Sequence, residues 1–205
     1  MGFYSRTIVP FLLDKGTNTP EFNGCRRRML EGARGRVLEI GFGTGLSASH
    51  YPAAVERVIA IDSNQGSARF AKTRIEAAPV PIELRVADGQ ELPFEDASFD
   101  GVVTSLVLCS VPDVARTLAE VRRVLRPRGR YFFFEHGLSD QPKLRRWQHR
   151  MNGLQMLLCG GCHLDRPMRS LIEDSAFRFD QAEDVSLKSA PWLASSAIWG
   201  AASPQ

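Results

Sequence analysis

The stretch "VLEIGFGTG", residues 37–45, places a short apolar run directly before three alternating glycines. Glycine lets a backbone turn sharply and lets a ligand lie against it, and in open α/β sheets such a loop follows the carboxyl end of a strand. The spacing is G-x-G-x-G. A dinucleotide loop needs a further glycine where this chain has Leu46, and no Gly-Lys-Ser/Thr of a P-loop follows. The stretch predicts a strand, a glycine loop and the start of a helix, with either a small-molecule ligand or only a tight turn.

Outward from this loop, short apolar runs alternate with helical patterns. Nearly continuous apolar strands separated by helices indicate a parallel sheet covered by helices on both faces. With two closing strands after residue 177, the pattern predicts an α/β fold with a seven-stranded, mostly parallel sheet. The predicted strands are residues 36–40, 58–62, 82–88, 100–108, 130–136, 178–185 and 195–202, and the main helices are residues 65–78, 112–125, 143–161 and 166–177.

Length and composition narrow the function classes. A chain of 205 residues with 43% hydrophobic and 24% charged residues is typical of one globular domain. A net charge of +3 is too small to indicate a nucleic-acid partner. No apolar run reaches the roughly 18–20 residues of a membrane span, and the first residues lack the pattern of a signal peptide. These features predict a cytoplasmic protein, and they give no oligomeric state.

Carboxylates stand at the ends of the next two strands. Asp62 ends the second strand, and a carboxylate there can accept hydrogen bonds from both hydroxyls of a ribose. Asp88 ends the third strand, followed by Gly89 and Gln90, where polar groups can meet an adenine edge. Either residue alone could merely cap a turn. Both, in order after a glycine loop, favour an adenosine-containing ligand.

From Val37 to His136 the chain resembles the class I S-adenosylmethionine-dependent methyltransferases, through "VLEIGFGTG", "VIAID", "VADGQELPFEDASFD" and "VLRPRGRYFFFEH". The resemblance implies a Rossmann-like doubly wound sheet that binds S-adenosylmethionine and releases S-adenosylhomocysteine. Two departures are Phe42, bulkier than usual in the loop, and Arg128, where glycine is common. The implied cofactor-binding residues are Glu39, Gly41, Phe42, Gly43 and Gly45 beside the methionine, Asp62 and Ser63 at the ribose, Asp88, Gly89 and Gln90 at the adenine, and Ser105 and Leu106 near the sulfonium.

A narrower resemblance rests on "SLVLCSVPD", "RVLRPRGRYFFFEHG" and "GCHLDR", which are similar to thiol S-methyltransferases of the methyltransferase-like group. It implies methyl transfer to a small apolar acceptor, a thiol first of all. A phospholipid or quinone methyltransferase and a non-catalytic cofactor-binding protein stay open as alternatives. Residues 1–205 are then one methyltransferase domain, with a helical cap at 1–33 and a helical substrate lid at 137–177.

Methyl transfer from a sulfonium is an in-line displacement, so the enzyme mainly aligns the two reactants. A thiol acceptor must also lose its proton, because the thiolate is the nucleophile. By their ordinary pKa, His136 and His163 are the predicted bases, and Glu135 is predicted to orient one of them. Structural roles for all three remain an alternative.

The segment "CGGCHLDR", residues 159–166, contains the C-x-x-C-H pattern of c-type haem attachment, of metal ligation or of a redox pair. Haem is disfavoured because no export signal precedes it. Structural zinc needs four ligands, whereas Cys159, Cys162 and His163 supply three. A redox pair usually opens a helix, and this one follows a helix. We therefore expect a glycine-containing helix stop with two buried thiols and no metal.

Before it, "KLRRWQHRMNGLQMLL", residues 143–158, begins basic and continues apolar. The pattern suits a substrate lid. It also suits peripheral contact with an anionic membrane surface, since basic residues meet the headgroups and apolar residues the acyl boundary.

Overall fold

The computed structural model describes residues 9–205, so the part of the predicted cap formed by residues 1–8 lies outside the described residues. A seven-stranded sheet has the order β3-β2-β1-β4-β5-β7-β6. The first five strands along the chain run parallel, and β7 pairs antiparallel with both β5 and β6. This confirms the predicted fold class. The strands are β1 Gly35–Ile40, β2 Val55–Asp62, β3 Ile82–Val86, β4 Phe99–Ser105, β5 Leu125–His136, β6 Phe177–Ser186 and β7 Ser196–Pro204.

In the described part of the chain, six α-helices accompany the sheet: α1 Val9–Thr17, α2 Pro20–Leu30, α3 Ala68–Glu76, α4 Val114–Val124, α5 Pro142–Leu158 and α6 Met168–Asp174. The helix expected directly after the glycine loop is reduced to a 3-10 turn, Ala48–His50. Pro52 gives the reason, because the residue before a proline is driven out of the helical region. Tyr51 accordingly has an extended backbone with ψ 128°.

Each face of the sheet carries its own core. On one face, α2 packs Phe22, Cys25 and Met29 against alternate strand residues such as Val37. On the other, α4 and α6 pack against a set that includes Leu38. Neighbouring residues of one strand thus enter opposite cores, which is why β1 reads as a continuous apolar run. The prediction of helices on both faces is confirmed.

The parallel register brings the functional segments to one edge. Ile40 at the end of β1 pairs with Ile61 of β2 and with Thr104 of β4, and Ser105 pairs with Phe134 of β5. The loops that follow these strands therefore leave the sheet side by side. This edge is where ligands bind in open parallel sheets. Within residues 9–205, none of the helices combines the length and the apolar character that crossing a membrane would require.

Candidate active site

The glycine loop after β1 is shaped by positive backbone angles. Gly41 and Gly43 have φ of +69° and +56°, which a residue with a side chain rarely adopts. A Cβ on Gly41 would collide with the Val107 side chain. Among residues 9–205, a Cβ on Gly43 would meet nothing closer than the Gly41 carbonyl oxygen at 3.9 Å. This part of the chain thus closes over Gly41 and leaves the surface above Gly43 open to a ligand.

Phe42 points away from this opening. Its side chain is buried in the core on the α2 face, and its ring supports Gly45 from behind. The ring packs against Gly45, and the Phe42 carbonyl accepts a 2.9 Å hydrogen bond from the Gly45 amide. A contact of Phe42 with the cofactor stays a prediction.

Asp62, the last residue of β2, holds the glycine loop. Its Oδ2 accepts a 2.7 Å hydrogen bond from the Gly43 amide, and its Oδ1 accepts one of 2.7 Å from the Asn64 amide. Burial raises the pKa of this carboxyl, and the two amide hydrogen bonds oppose that rise. Asp62 and Ser63 line a small cleft of about 60 Å³ together with Gly41 and Gly89. The structure thus brings together predicted cofactor residues from three separate loops.

The loop after β3 forms the next wall. Asp88 is exposed, and its Oδ1 accepts a 2.9 Å hydrogen bond from the Gln90 amide, so it caps its own turn. Gln90 in turn accepts a 3.0 Å hydrogen bond from the Asp113 amide at the start of α4. A Cβ on Gly89 would stand 2.7 Å from Ile40 Cγ2, so the backbone lies close against the end of β1.

Glu39 lies on the opposite face of β1 from Ile40 and is fully buried. Its Oε2 accepts a 2.6 Å hydrogen bond from the Tyr51 hydroxyl. Burial raises the pKa of Glu39 to about 7, opposed by hydrogen bonds from Tyr51 and Ser47 and by the charge of Arg26. The predicted methionine-side carboxylate is therefore tied to the segment after the glycine loop, through Tyr51 and Ser47.

A latch that the sequence did not reveal ties α1 to the glycine loop. We define it as Asp14, Thr44 and Arg74. Asp14 Oδ1 accepts 2.6 Å hydrogen bonds from the Thr44 hydroxyl and from Arg74, and Arg74 also donates to the Thr44 carbonyl at 2.8 Å. Asp14 lies in the predicted cap, residues 1–33, next to other polar residues in the stretch "DKGTNTP", and a charged residue there gives no signal of a distant partner.

The segment after β4 is held by Glu135. Strand β4 ends at Ser105, earlier than expected, because Leu106 turns the chain with a φ of +59°. The amides of Val107 and Leu108 both donate to Glu135 Oε2, at 2.9 and 3.1 Å. Burial raises the pKa of Glu135 to about 7. These contacts make Glu135 a support for the segment that covers Gly41, and its predicted role of orienting a histidine stays a prediction.

His136 ends β5 in a buried cluster with two thiols. Its Nε2 lies 2.8 Å from Cys162 Sγ, and the ligand atoms of Cys109, His136 and Cys162 all lie within 4.8 Å of one another. Burial opposes protonation of the ring, but the Cys162 thiol and Glu135 outweigh it and raise the pKa of His136. Sequence reasoning grouped Cys162 with Cys159 and His163 instead, because Cys109 and His136 are distant along the chain.

His163, the second predicted base, is partly exposed near Asn152 and Asp165. The Asn152 carbonyl oxygen accepts from the Leu164 amide at 2.8 Å, so its amino group faces His163 Nδ1 at 3.4 Å. Asp165 Oδ1 stands 3.9 Å from the same nitrogen. Burial and the charge of Arg166 lower the pKa of His163, and Asp165 opposes them. The ring is therefore neutral near pH 7, with Nδ1 as its basic nitrogen.

The C-x-x-C-H segment begins with a helix stop, as expected. Helix α5 ends at Leu158, Gly160 and Gly161 have positive φ, and the Gly161 amide donates to the Met156 carbonyl at 2.9 Å. Cys162 is buried, whereas Cys159 is only half-buried. The two thiols therefore have different surroundings.

The fold and its strand-end loops define an α/β protein with an adenosine-type site at the carboxyl edge of the sheet. The family model described as "Methyltransferase domain" matches residues 38–133. Thiol S-methyltransferase TMT1A of Homo sapiens is 37% identical over 165 residues, which cover 78% of this chain and 65% of that protein. Phosphatidylethanolamine N-methyltransferase of Cereibacter sphaeroides is 38% identical over 112 residues, 54% of this chain and 55% of that protein.

Among solved structures, a SAM-dependent methyltransferase of Thermotoga maritima has a TM-score of 0.72 at 16% identity, covering 98% of both chains, which shows the common fold. The chain belongs to the S-adenosylmethionine-dependent methyltransferases, and S-adenosylmethionine is the cofactor of that family. The predicted family and the predicted cofactor are both confirmed. The chain spans about two thirds of the length of its thiol S-methyltransferase relative, 65%.

Proposed function

We propose that this chain transfers the methyl group of S-adenosylmethionine to the sulfur of a small apolar thiol. The observation that carries this proposal is the similarity to a thiol S-methyltransferase over 165 residues. That length exceeds the matched methyltransferase domain, residues 38–133. The likeness therefore includes segments outside the common cofactor-binding core, and those segments are where acceptor specificity resides in this fold.

The cofactor is proposed to lie over Gly43 and against Asp62. The open surface at Gly43 supports this position, since a ligand can approach the backbone there. An ionised carboxylate has about four lone-pair sites. The Gly43 and Asn64 amides use two of those on Asp62, which leaves acceptor capacity for the two ribose hydroxyls.

We assign residues 1–33 as a cap and 137–177 as a lid, within one domain of residues 1–205. The Asp14–Thr44–Arg74 latch supports the cap, because it ties α1 to the loop that would hold the methionine moiety. Gln148 supports the lid. This buried amide donates to the carbonyls of Gly137 and Leu193 and accepts from the Ser139 amide, so it fixes α5 beside the end of β5.

In the proposed reaction, the acceptor thiol takes the place of the Asn152 amino group at His163 Nδ1 and gives up its proton there. Bound S-adenosylmethionine would supply the methyl group, which the resulting thiolate would take as the bond from the methyl carbon to the sulfonium sulfur breaks, with S-adenosylhomocysteine as the second product. Asp165, 3.9 Å from Nδ1, stabilises the imidazolium once it forms. Because the pKa of His163 is lowered, the base is free at neutral pH.

A competition assay with labelled methyl groups tests the proposed function. The purified chain is offered an alkyl thiol together with the alcohol, amine and phenol of matched size. We expect label on sulfur alone. Transfer to the amine or the phenol in preference to the thiol would overturn the acceptor class.

The base is tested by the pH profile of kcat/KM. The parent should show a rising limb centred below the ordinary imidazole value of about 6.5. His163→Ala should abolish that limb and leave S-adenosylmethionine binding intact. His149→Ala is the matched control, because His149 also contacts Asp165, through a 3.2 Å pair, and is exposed. An unchanged limb in His163→Ala would exclude this base.

A second candidate function is methylation of a lipid amine, favoured by the exposed apolar residues of α5. Trp147, Leu154, Leu157 and Leu158 are exposed on the helix that begins with basic residues. The pattern supports peripheral contact with an anionic membrane. Flotation with anionic vesicles tests it: the parent should float and Leu157→Glu should not. Methyl transfer to phosphatidylethanolamine in those vesicles, with none to thiols, would replace the first proposal by the second.

A further inference from the structure

We propose that Cys109, His136 and Cys162 form a binding site for a soft divalent cation of the Zn²⁺ type. The three ligands come from three different places in the chain. Cys109 follows β4, His136 ends β5 and Cys162 follows α5. All three are buried, and their ligand atoms lie within 4.8 Å of one another. The proposal departs from the sequence-based expectation of no metal, which considered a different set of ligands and stays a prediction.

The spacing suits a tetrahedral ion. With Zn–S bonds of about 2.3 Å and Zn–N bonds of about 2.05 Å, neighbouring ligand atoms of a tetrahedral site stand roughly 3.5–3.8 Å apart. The three atoms of the cluster already lie within 4.8 Å of one another. His136 Nε2 and Cys162 Sγ are 2.8 Å apart. They would have to separate by less than about 1 Å to bind an ion together. Side-chain rotation alone covers a change of that size.

The donor set selects the kind of ion. Two thiolates and an imidazole suit Zn²⁺ and other soft or borderline cations, whereas Mg²⁺ and Ca²⁺ require oxygen ligands. Among the described residues, the cluster that brings these side chains together contains no carboxylate. The ion would ionise both thiols, because a coordinating thiol loses its proton.

Without an ion, the hydrogen bond with Cys109 and burial raise the pKa of the Cys162 thiol, but donors beside the two sulfurs would support thiolates formed on metal binding. The Ser110 hydroxyl lies 3.4 Å from Cys109 Sγ, and the Gln155 amide donates to Cys162 Sγ at 3.8 Å. The Arg166 guanidinium donates to the Leu108 carbonyl, next to Cys109 in the chain. Donors of this kind orient metal ligands and stabilise their charge, as outer-shell groups of metal sites do.

Such an ion would tie the lid to the sheet. Cys162 belongs to the connection between α5 and α6, whereas Cys109 and His136 stand at the carboxyl edge of β4 and β5. The His163 amide already donates to the Cys109 carbonyl at 2.7 Å. The two segments are therefore held side by side, as a shared set of metal ligands requires. Three protein ligands leave one tetrahedral position for water or another non-protein ligand. His136, as a ligand, would no longer serve as a proton acceptor.

Elemental analysis of the full chain, produced with zinc in the medium, is the first test. We expect close to one zinc per chain in the parent and loss of most of it in Cys109→Ser and in Cys162→Ser. Cys159→Ser and His163→Ala are matched controls from the same C-x-x-C-H segment and should keep their zinc. Loss of zinc in Cys159→Ser equal to that in Cys162→Ser would overturn the ligand assignment.

Cobalt binding to the parent chain is the second test, and it does not depend on whether the cysteine variants fold. Co²⁺ added to metal-free chain should give a thiolate-to-metal charge-transfer band that titrates to one equivalent. Absence of both zinc and this band in the correctly folded parent would overturn the proposal. Neither measurement involves a methyl acceptor, so failure of the metal site is distinguishable from failure of the proposed methyl transfer.

Discussion

Replacing Asp62 by alanine removes a side chain that joins the glycine loop to the end of β2. In the parent, the two carboxylate oxygens accept hydrogen bonds from the amides of Gly43 and Asn64, both at 2.7 Å. Alanine leaves both amides without their acceptor. We expect the loop over Gly43 to lose its fixed conformation, and the proposed contact with the ribose to disappear with it.

The magnitude follows from the number of hydrogen bonds. Each hydrogen bond to a charged group contributes about 1.5–3 kcal/mol. Losing two of them can therefore lower the free energy of unfolding by at most about 3–6 kcal/mol. Asp62 is not fully buried, so water will satisfy part of the loss and about 2 kcal/mol is expected. Loss of the ribose contact should weaken cofactor binding by about 1–3 kcal/mol, which is roughly 5- to 150-fold in Kd.

Urea denaturation measures the first quantity, and calorimetric titration with S-adenosylmethionine and S-adenosylhomocysteine measures the second. Asp100→Ala is the matched control. Asp100 Oδ2 also accepts a hydrogen bond from a backbone amide, that of Arg36 at 2.8 Å, but at the opposite end of β1. The control should therefore lose stability and keep its affinity for the cofactor. Equal cofactor affinity in Asp62→Ala and Asp100→Ala would refute the ribose assignment.

Three further predictions concern the same edge of the sheet. Gly41→Ala should lower thermal stability and cofactor affinity, because the backbone φ is +69° and the new Cβ would collide with Val107. Gly24→Ala is the control: Gly24 lies inside α2, its new Cβ would meet no described atom within 4 Å, and stability should rise by about 0.5–1 kcal/mol. Asp14→Asn and Arg74→Met should each weaken cofactor binding, and a double-mutant cycle should give a coupling energy of about 0.5–3 kcal/mol; strict additivity would exclude the latch. Burial holds the pKa of Glu39 at about 7 against an ordinary 4.5, so the folded chain keeps a proton that the unfolded chain releases, and stability should fall as pH rises from 4.5 to about 7. Glu39→Gln should flatten this fall in urea midpoints, and an unchanged slope would contradict the assignment.

The fold and the meeting of the strand-end residues at one edge of the sheet were predictable from the sequence. The strands of a parallel sheet are apolar on both faces, so each reads as a continuous run bounded by turn residues, and β1, β2, β4 and β5 were all predicted within a few residues. Gly41, Asp62 and Gly89 were predictable for a related reason. Gly41 directly follows β1, Asp62 ends β2 and Gly89 lies in the loop after β3, and parallel strands deliver their carboxyl ends to one edge. Local sequence position therefore fixes where these residues lie.

Contacts between side chains on different elements required the tertiary structure. Asp14 and Arg74 lie 60 positions apart, and Cys109 and Cys162 lie 53 apart, and nothing in the local sequence of either member specifies its partner. The orientation of Phe42, the support that Glu135 gives to the segment after β4, and the grouping of Cys162 with Cys109 and His136 belong to this kind. Periodicity along the chain reports which residues face a core. Which side chains meet there depends on how whole helices and loops pack against the sheet, and that arrangement is set by the sum of many weak contacts over the molecule.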